Sequence, residues 1–230
     1  MNIAKLLGRL FFLVFYPLYF KRTLNRTNET NLFGFVLTIP PTVFHPRFFF
    51  STKILGRYLA QVPLEGKNLL EIGSGSGVIS LVAARHGASV VSVDINPLAV
   101  QSTRMNAERN NLTHKVIVLE SDLFDAIGEN FRFDYIIWNP PFFPEEPQND
   151  TEKAWKAGRG YRVLSRFAEQ AVLFLSPQGR VIIILSSQCN FGAILSYFAR
   201  CGFQSVPVRK HRSFFESFII YEMRPHGTTV

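Results

Sequence analysis

Acidic residues are scarce at the start of this chain. Up to Ala60 it carries Glu29 alone, against Lys5, Arg9, Lys21, Arg22, Arg26, Arg47, Lys53 and Arg57. Over all 230 residues the formal charge is +8, with a near-neutral middle and a mildly basic C-terminal stretch. Basic ends around a neutral centre point to an anionic partner: RNA, a ribonucleoprotein or a phospholipid surface. Plain solubility is the other reading of the same charge. Cysteine is nearly absent. Cys189 and Cys201 sit in no CxxC pair, which excludes a disulfide framework and a cysteine zinc site and fits a reducing compartment. The five histidines (His45, His86, His114, His211, His226) have no metal-ligand spacing and read as loop or surface residues, so no metal is expected.

A long hydrophobic run is lacking at the N-terminus too. Leu10 to Phe20 is almost wholly apolar but falls well short of the roughly 20 residues that span a bilayer. Pro17 interrupts it, Lys5, Arg9, Lys21 and Arg22 flank it, and no small-residue cleavage site follows. Three readings stand in order: a helix packed on the domain, an interfacial anchor giving peripheral membrane contact through residues 10–20, and an uncleaved signal anchor. A domain that uses a cytosolic cofactor places the chain in the cytoplasm. Repeats and low-complexity segments are also missing. Hydrophobic residues, by contrast, make up 47% of the chain and include 23 phenylalanines, ample for the core of one domain.

The pattern predicts an N-terminal extension over 1–60 and a catalytic domain over 61–230. In the extension, Thr23 to Asn31 reads as a polar loop and Phe33 to Ile39 as a strand stopped by Pro40-Pro41. Ser51-Thr52 reads as the cap of a helix over Lys53 to Gln61. From Lys67 strands and helices alternate. Strands are predicted at Asn68–Ile72, Ser89–Ile95, Val116–Glu120, Phe133–Trp138 and Gly179–Leu185, and helices at Val78–His86, Pro97–Asn110, Ser165–Leu175 and Phe191–Arg200. Two further strands, Gln204–Val208 and Ser217–Tyr221, have no helix between them and are expected to run antiparallel. The fold class is therefore α/β: a doubly wound, mostly parallel seven-stranded sheet with an antiparallel final strand.

Three elements at strand ends fit an adenosine-type cofactor. Glu71-Ile72-Gly73-Ser74-Gly75-Ser76-Gly77 lies between a strand and a helix, where Gly73, Gly75 and Gly77 let the backbone turn tightly and approach a ligand. Asp94, followed by Ile95, ends the second strand, where a carboxylate takes ribose hydroxyls. Asp122, followed by Leu123, can accept from an adenine amino group with the leucine near the ring. Taken singly, Asp94 and Asp122 read as caps; together and in order they read as a cofactor site. Glu71 would repel a pyrophosphate but can help hold an α-amino group, which favours S-adenosylmethionine over a dinucleotide. Asn139-Pro140-Pro141-Phe142 then follows the apolar strand Phe133–Trp138. A polar amide, two rigid prolines and an aromatic ring make a small flat site that grips a planar NH2. The plain alternative is a strand-ending turn.

With these motifs the chain from about Asn68 to Arg224 resembles a class I S-adenosylmethionine-dependent methyltransferase with a Rossmann-like sheet. Within that class it resembles the HemK-type release-factor glutamine methyltransferases, which carry an Asn-Pro-Pro-aromatic motif. Ala154-Trp155-Lys156-Ala157-Gly158-Arg159-Gly160 is similar to a loop in the archaeal and eukaryotic branch of that family, and His45-Pro46-Arg47 with Thr52 to an element of the bacterial branch. The chain departs from the pattern at Lys53, where an acid is usual, at Phe142, where tyrosine is usual, and through its first sixty residues. The resemblance implies N-methylation of a protein glutamine amide in a translation factor. It implies catalytic roles for Asn139, Pro140, Pro141 and Phe142, with Asn139 also near the cofactor. An exocyclic base amine, adenine N6 or guanine N2 in RNA or DNA, presents the same flat NH2 and stands as the alternative substrate. A non-catalytic membrane-surface or assembly protein, and a dinucleotide-dependent dehydrogenase, are the rival classes.

Overall fold

The computed structural model describes residues 26–47, 50–149, 152–213 and 216–226. The apolar run of residues 10–20, read above as a packed helix or anchor, lies outside them. Among the described residues no helix is long and apolar enough to cross a membrane.

The chain opens with a hairpin, β1 (Asn28–Leu32) and β2 (Phe35–Ile39), paired antiparallel from Asn28↔Ile39 to Leu32↔Phe35. Phe33 and Gly34 turn it at φ 56° and 75°, the left-handed pair that a two-residue hairpin turn needs. The polar stretch around Asn28–Leu32, expected to be a loop, is thus a strand. Its composition hides this because β1 buries little, and its ladder is satisfied by β2. Helix α1 (Phe50–Leu59) follows and buries Ser51, Thr52, Ile54, Leu55 and Leu59.

The main sheet comprises β3 (Asn68–Ile72), β4 (Ser89–Asp94), β5 (Val116–Glu120), β6 (Phe133–Trp138), β7 (Leu175–Ser186), β8 (Phe203–Arg212) and β9 (Ser217–Pro225). Its order is β5-β4-β3-β6-β7-β9-β8. β3 to β7 are parallel, and β9 runs antiparallel between β7 and β8. The predicted seven-stranded α/β sheet with an antiparallel final strand is what the chain forms. The intervening helices are α2 (Val78–Arg85), α3 (Pro97–Arg109), α4 (Arg162–Phe174) and α5 (Phe191–Arg200).

Alternation along the strands divides the core between two faces. Leu69, Tyr135, Ile137, Ile182 and Ile184 face α2 and α1, while Leu70, Ile136, Trp138, Val181 and Ile183 face α4 and α5. Phe35, Leu37, Ile39, Leu55 and Leu59 join the first of these clusters, so one core runs across residue 60. Asparagine side chains dock the hairpin. Asn110 accepts from the Val36 N–H and donates to the Val36 carbonyl, at 3.2 and 3.0 Å. Asn106 does the same for Thr38, at 2.7 and 3.0 Å. Two carboxamides on one helix face thereby stand in for a neighbouring strand and leave few of β2's polar groups unpaired.

Candidate functional site

The carboxyl ends of β3, β4, β5 and β6 meet at the break in strand order between β3, β4 and β6, where open α/β sheets hold ligands. Gly73, Gly75 and Gly77 all have left-handed φ, at 68°, 54° and 76°. A side chain on Gly77 would put Cβ 2.7 Å from Thr103 Cγ2, so that turn admits glycine alone. α3 braces the loop from behind: Thr103 Oγ1 donates to the Ser74 hydroxyl, and Asn106 Nδ2 donates to the Ser76 carbonyl at 2.9 Å.

Asp94 ties this loop to the next strand. Its Oδ2 accepts from the Gly75 N–H at 2.8 Å and its Oδ1 from the Asn96 N–H at 2.9 Å. Burial pushes the Asp94 carboxyl up, while the N–H groups of Asn96, Gly75 and Ile95 pull it back. The carboxylate keeps acceptor capacity for a further donor. Ile95, next in the chain, is 41% exposed, a large apolar side chain left bare beside a carboxylate. It lines a hollow of about 300 Å³ with Glu120, Ser121, Asp122, Asp125 and Ala126. Arg166 of α4 donates to Asp122 Oδ2 at 3.0 Å, leaving Oδ1 for another partner.

Two expected contacts fall elsewhere. Leu123 is buried in the second core cluster, with φ 52°, and does not line the hollow; the tight turn at Ser121, whose hydroxyl accepts from the Ala126 N–H at 2.9 Å, swings it inward. Glu71 is also buried, on the α2 side of β3. Its Oε2 accepts from the Ser80 N–H at 2.9 Å and from the Ser80 hydroxyl. Burial pushes its carboxyl up to about 8, and the bonds from Ser80 only partly offset this. Strand alternation explains the placement, since a residue one before Ile72 faces α2. Glu71 thus acts on the glycine loop through the first turn of α2.

The strand end after β6 holds the acceptor side. Asn139 follows Trp138 on the face toward α1. Its Nδ2 donates to the Ser51 hydroxyl at 3.1 Å, whereas its Oδ1 is buried with no hydrogen-bond partner. Such an atom costs on the order of 1–3 kcal/mol, a cost that a bound N–H removes. Pro140 is buried and Pro141 half-buried. Among the described residues no backbone N–H is bonded to the Pro140 carbonyl. The Phe142 ring, after β6, lies 6.3 Å from that of Phe218 in β9 at 51°, and the two form an aromatic wall across the end of β7. The Cys189 thiol donates to the Phe142 carbonyl at 3.6 Å.

The loop beyond Phe142 is stapled. Phe143 accepts from the Ala157 N–H at 2.7 Å and donates to the Trp155 carbonyl at 2.9 Å. Glu146 accepts from the Arg159 N–H at 3.0 Å and from Arg162, and these contacts, Arg159's first, hold its carboxyl below the usual range. The N-terminal segment covers the site: an added Cβ on Gly75 would lie 3.7 Å from Phe44, and Asn96 Nδ2 donates to Thr42 Oγ1 at 3.4 Å. His45, read as a loop or surface residue, lies in this loop and is buried there, and burial pushes its pKa down. Arg166, Phe218 and Ser51 had no site signal in the sequence. Ser51 read only as a helix cap, and the other two come from α4 and β9, far away in the chain.

The donor set fits S-adenosylmethionine. Asp94 would offer a carboxylate to a ribose diol, Ile95 an apolar face to adenine, Asp122 Oδ1 an acceptor to its amino group, and the glycine turn a bare stretch of backbone. The buried orphan oxygen of Asn139 stands at the adjoining strand end.

Residues 35–204 match the family model of the methyltransferase small domain. A Methanocaldococcus jannaschii protein assigned as an N5-glutamine methyltransferase is 35% identical over 160 residues, which cover 67% of this chain and 77% of that one. A Shewanella loihica tRNA1(Val) (adenine(37)-N6)-methyltransferase is 29% identical over 134 residues; the match takes in 55% of each chain, so only about half of that enzyme is represented. A Thermus thermophilus 16S rRNA N2 methyltransferase, solved with AdoMet and guanosine, superposes with a TM-score of 0.63 at 23% identity. The superposition covers 87% of this chain and 50% of that one.

Proposed function

The chain belongs to the methyltransferase small domain family and is an S-adenosylmethionine-dependent methyltransferase; from that premise we propose that its acceptor is the side-chain amide of a protein glutamine. The observation that carries this is the buried, partnerless Oδ1 of Asn139 beside the open Pro140 carbonyl. Two acceptors at one strand end match the two N–H bonds of a planar NH2. A carboxamide nitrogen is a poor nucleophile because its lone pair is delocalised. Holding both N–H bonds fixes the NH2 plane, turns the lone pair toward the cofactor side, and stabilises positive charge as it grows on nitrogen. When bound, the cofactor supplies a sulfonium methyl as the electrophile. The wall of Phe142 and Phe218 excludes water from one face of the amide. A nitrogen–carbon bond forms as the sulfur–carbon bond breaks, and the methylated nitrogen then loses one proton to solvent. No strong base is needed, because that proton becomes acidic only after attack. Support for glutamine, as against other NH2 groups, comes from the similarity to the M. jannaschii protein.

One observation favours a second reading, an exocyclic base amine in RNA. Trp138 is in register with Ile183, Ile183 with Tyr221, and Tyr221 with Pro207. Arg209, Lys210 and Arg212 therefore run past the level of Asn139 on the exposed edge strand β8, three strand spacings or roughly 14 Å away. That basic rim suits a phosphate backbone.

Incubation of the protein and cofactor with an unmethylated translation release factor tests the first reading. Mass spectrometry should place one added methyl on a glutamine amide nitrogen. A methyl on another side chain, or none on that protein, would overturn it.

A further inference from the structure

We propose that Ser51, on the first turn of α1, is a positioning residue for the acceptor site. It holds the plane of the Asn139 carboxamide, with the NH2 on Ser51 and the oxygen toward the incoming nitrogen. The inference rests on the acceptor reading above and adds a residue from outside the strand-end motif.

A primary carboxamide has two nearly isosteric ends, one an acceptor and one a double donor. Rotation about its last side-chain torsion is soft, so the backbone of Asn-Pro-Pro does not by itself decide which end is presented. A donor end would repel the N–H bonds of an amide or an amino group. A neighbour holds one end: Ser51 Oγ accepts from Asn139 Nδ2 at 3.1 Å, which fixes the plane of the carboxamide. Ser51 is 1% exposed, so no water competes for that contact. Ile54, Leu55 and Leu59 of α1 are buried in the core cluster that also holds Ile137 and Ile184, so the hydroxyl is carried on a rigid support. With Nδ2 held on Ser51, Oδ1 is left buried and free. Segment 50–59, which precedes the alternating strands and helices, thereby completes the acceptor site.

Two measurements test this. In the first, the side-chain NH2 of Asn139 is followed by 15N NMR in the unliganded protein. Ser51→Ala should shift both protons and shorten their hydrogen-exchange lifetime. Ser51→Thr, which keeps a hydroxyl, should restore them. An unchanged Asn139 signal in Ser51→Ala overturns the contact. In the second, radiolabel transfer from S-adenosylmethionine to a whole-cell extract is timed for Ser51→Ala, Asn139→Ala and the double variant. Ser51→Ala should slow transfer about tenfold to a hundredfold, the scale of a misaligned reactant. In the Asn139→Ala background it should add nothing. The same fractional loss in both backgrounds would mean that Ser51 only supports the fold and would overturn the positioning role. If the glutamine reading fails, the NMR result stands and the label appears on another molecule, so the two failures are distinguishable.

Discussion

The Gly75 N–H donates to Asp94 Oδ2 at 2.8 Å, so the carboxylate that shapes the glycine turn is the one that would take the ribose hydroxyls. Asp94→Ala removes both duties. Cofactor affinity, read by calorimetry, should fall about tenfold to a hundredfold, as expected for losing hydrogen bonds to a charged group. An unchanged affinity would assign Asp94 to loop support alone.

Asn139→Ala leaves that side of the cleft intact. Cofactor affinity should stay close to wild type while kcat falls by roughly 10²–10³, the scale of losing one preorganised polar contact. The variant removes the orphan Oδ1 but also the bond to Ser51, so the two effects offset and its stability should stay within about 1 kcal/mol of the parent. A thermal melt checks this.

Gly77→Ala strains the opposite wall. Its φ of 76° is left-handed and its new Cβ would approach Thr103 Cγ2 to 2.7 Å and Thr103 Cα to 3.1 Å. A loss of about 1–3 kcal/mol is expected, measured by urea unfolding. Thr103→Ser in the same chain should recover only part, because the backbone approach and the φ remain.

Glu71 gives a pH dependence of known sign. Its folded pKa is raised to about 8 from an ordinary 4.5. The folded state therefore holds this proton more tightly, and the stabilisation is full below the unfolded pKa and lost as pH rises toward 8. Glu71→Gln keeps an acceptor for Ser80 without a charge. Its stability relative to wild type should rise steadily from about pH 4.5 to about pH 8. A constant difference across that window would contradict a neutral Glu71.

Arg209, Lys210 and Arg212 decide what the edge of the sheet does. As a phosphate-binding rim, each charge removed by alanine should lower the salt slope of single-stranded RNA binding by about 0.7. As protection against edge-to-edge pairing only, the substitutions leave RNA affinity unchanged and promote self-association.

The sheet was readable because β3 to β6 are short apolar runs and helices separate most of them, one with a clear cap, Asn96 before Pro97. The glycine turn, Asp94 and the Asn-Pro-Pro-Phe segment were readable because each needs a particular residue type at a strand end. β1 was not, since its pairing is satisfied by β2 and by no hydrophobic pattern of its own. The burial of Glu71 and Leu123 required knowing which face of a strand or turn each occupies. Ser51 and Arg166 required tertiary contacts across 88 and 44 residues of chain.

The most direct test of the central claim is to incubate the protein with radiolabelled S-adenosylmethionine and a cell extract, then divide the product between nuclease and protease. The account predicts label that survives nuclease, is released by protease and is recovered as N5-methylglutamine, with the rate lowered by roughly 10²–10³ for Asn139→Ala. Label released by nuclease as a methylated base, or transferred by Asn139→Ala at the wild-type rate, would contradict it.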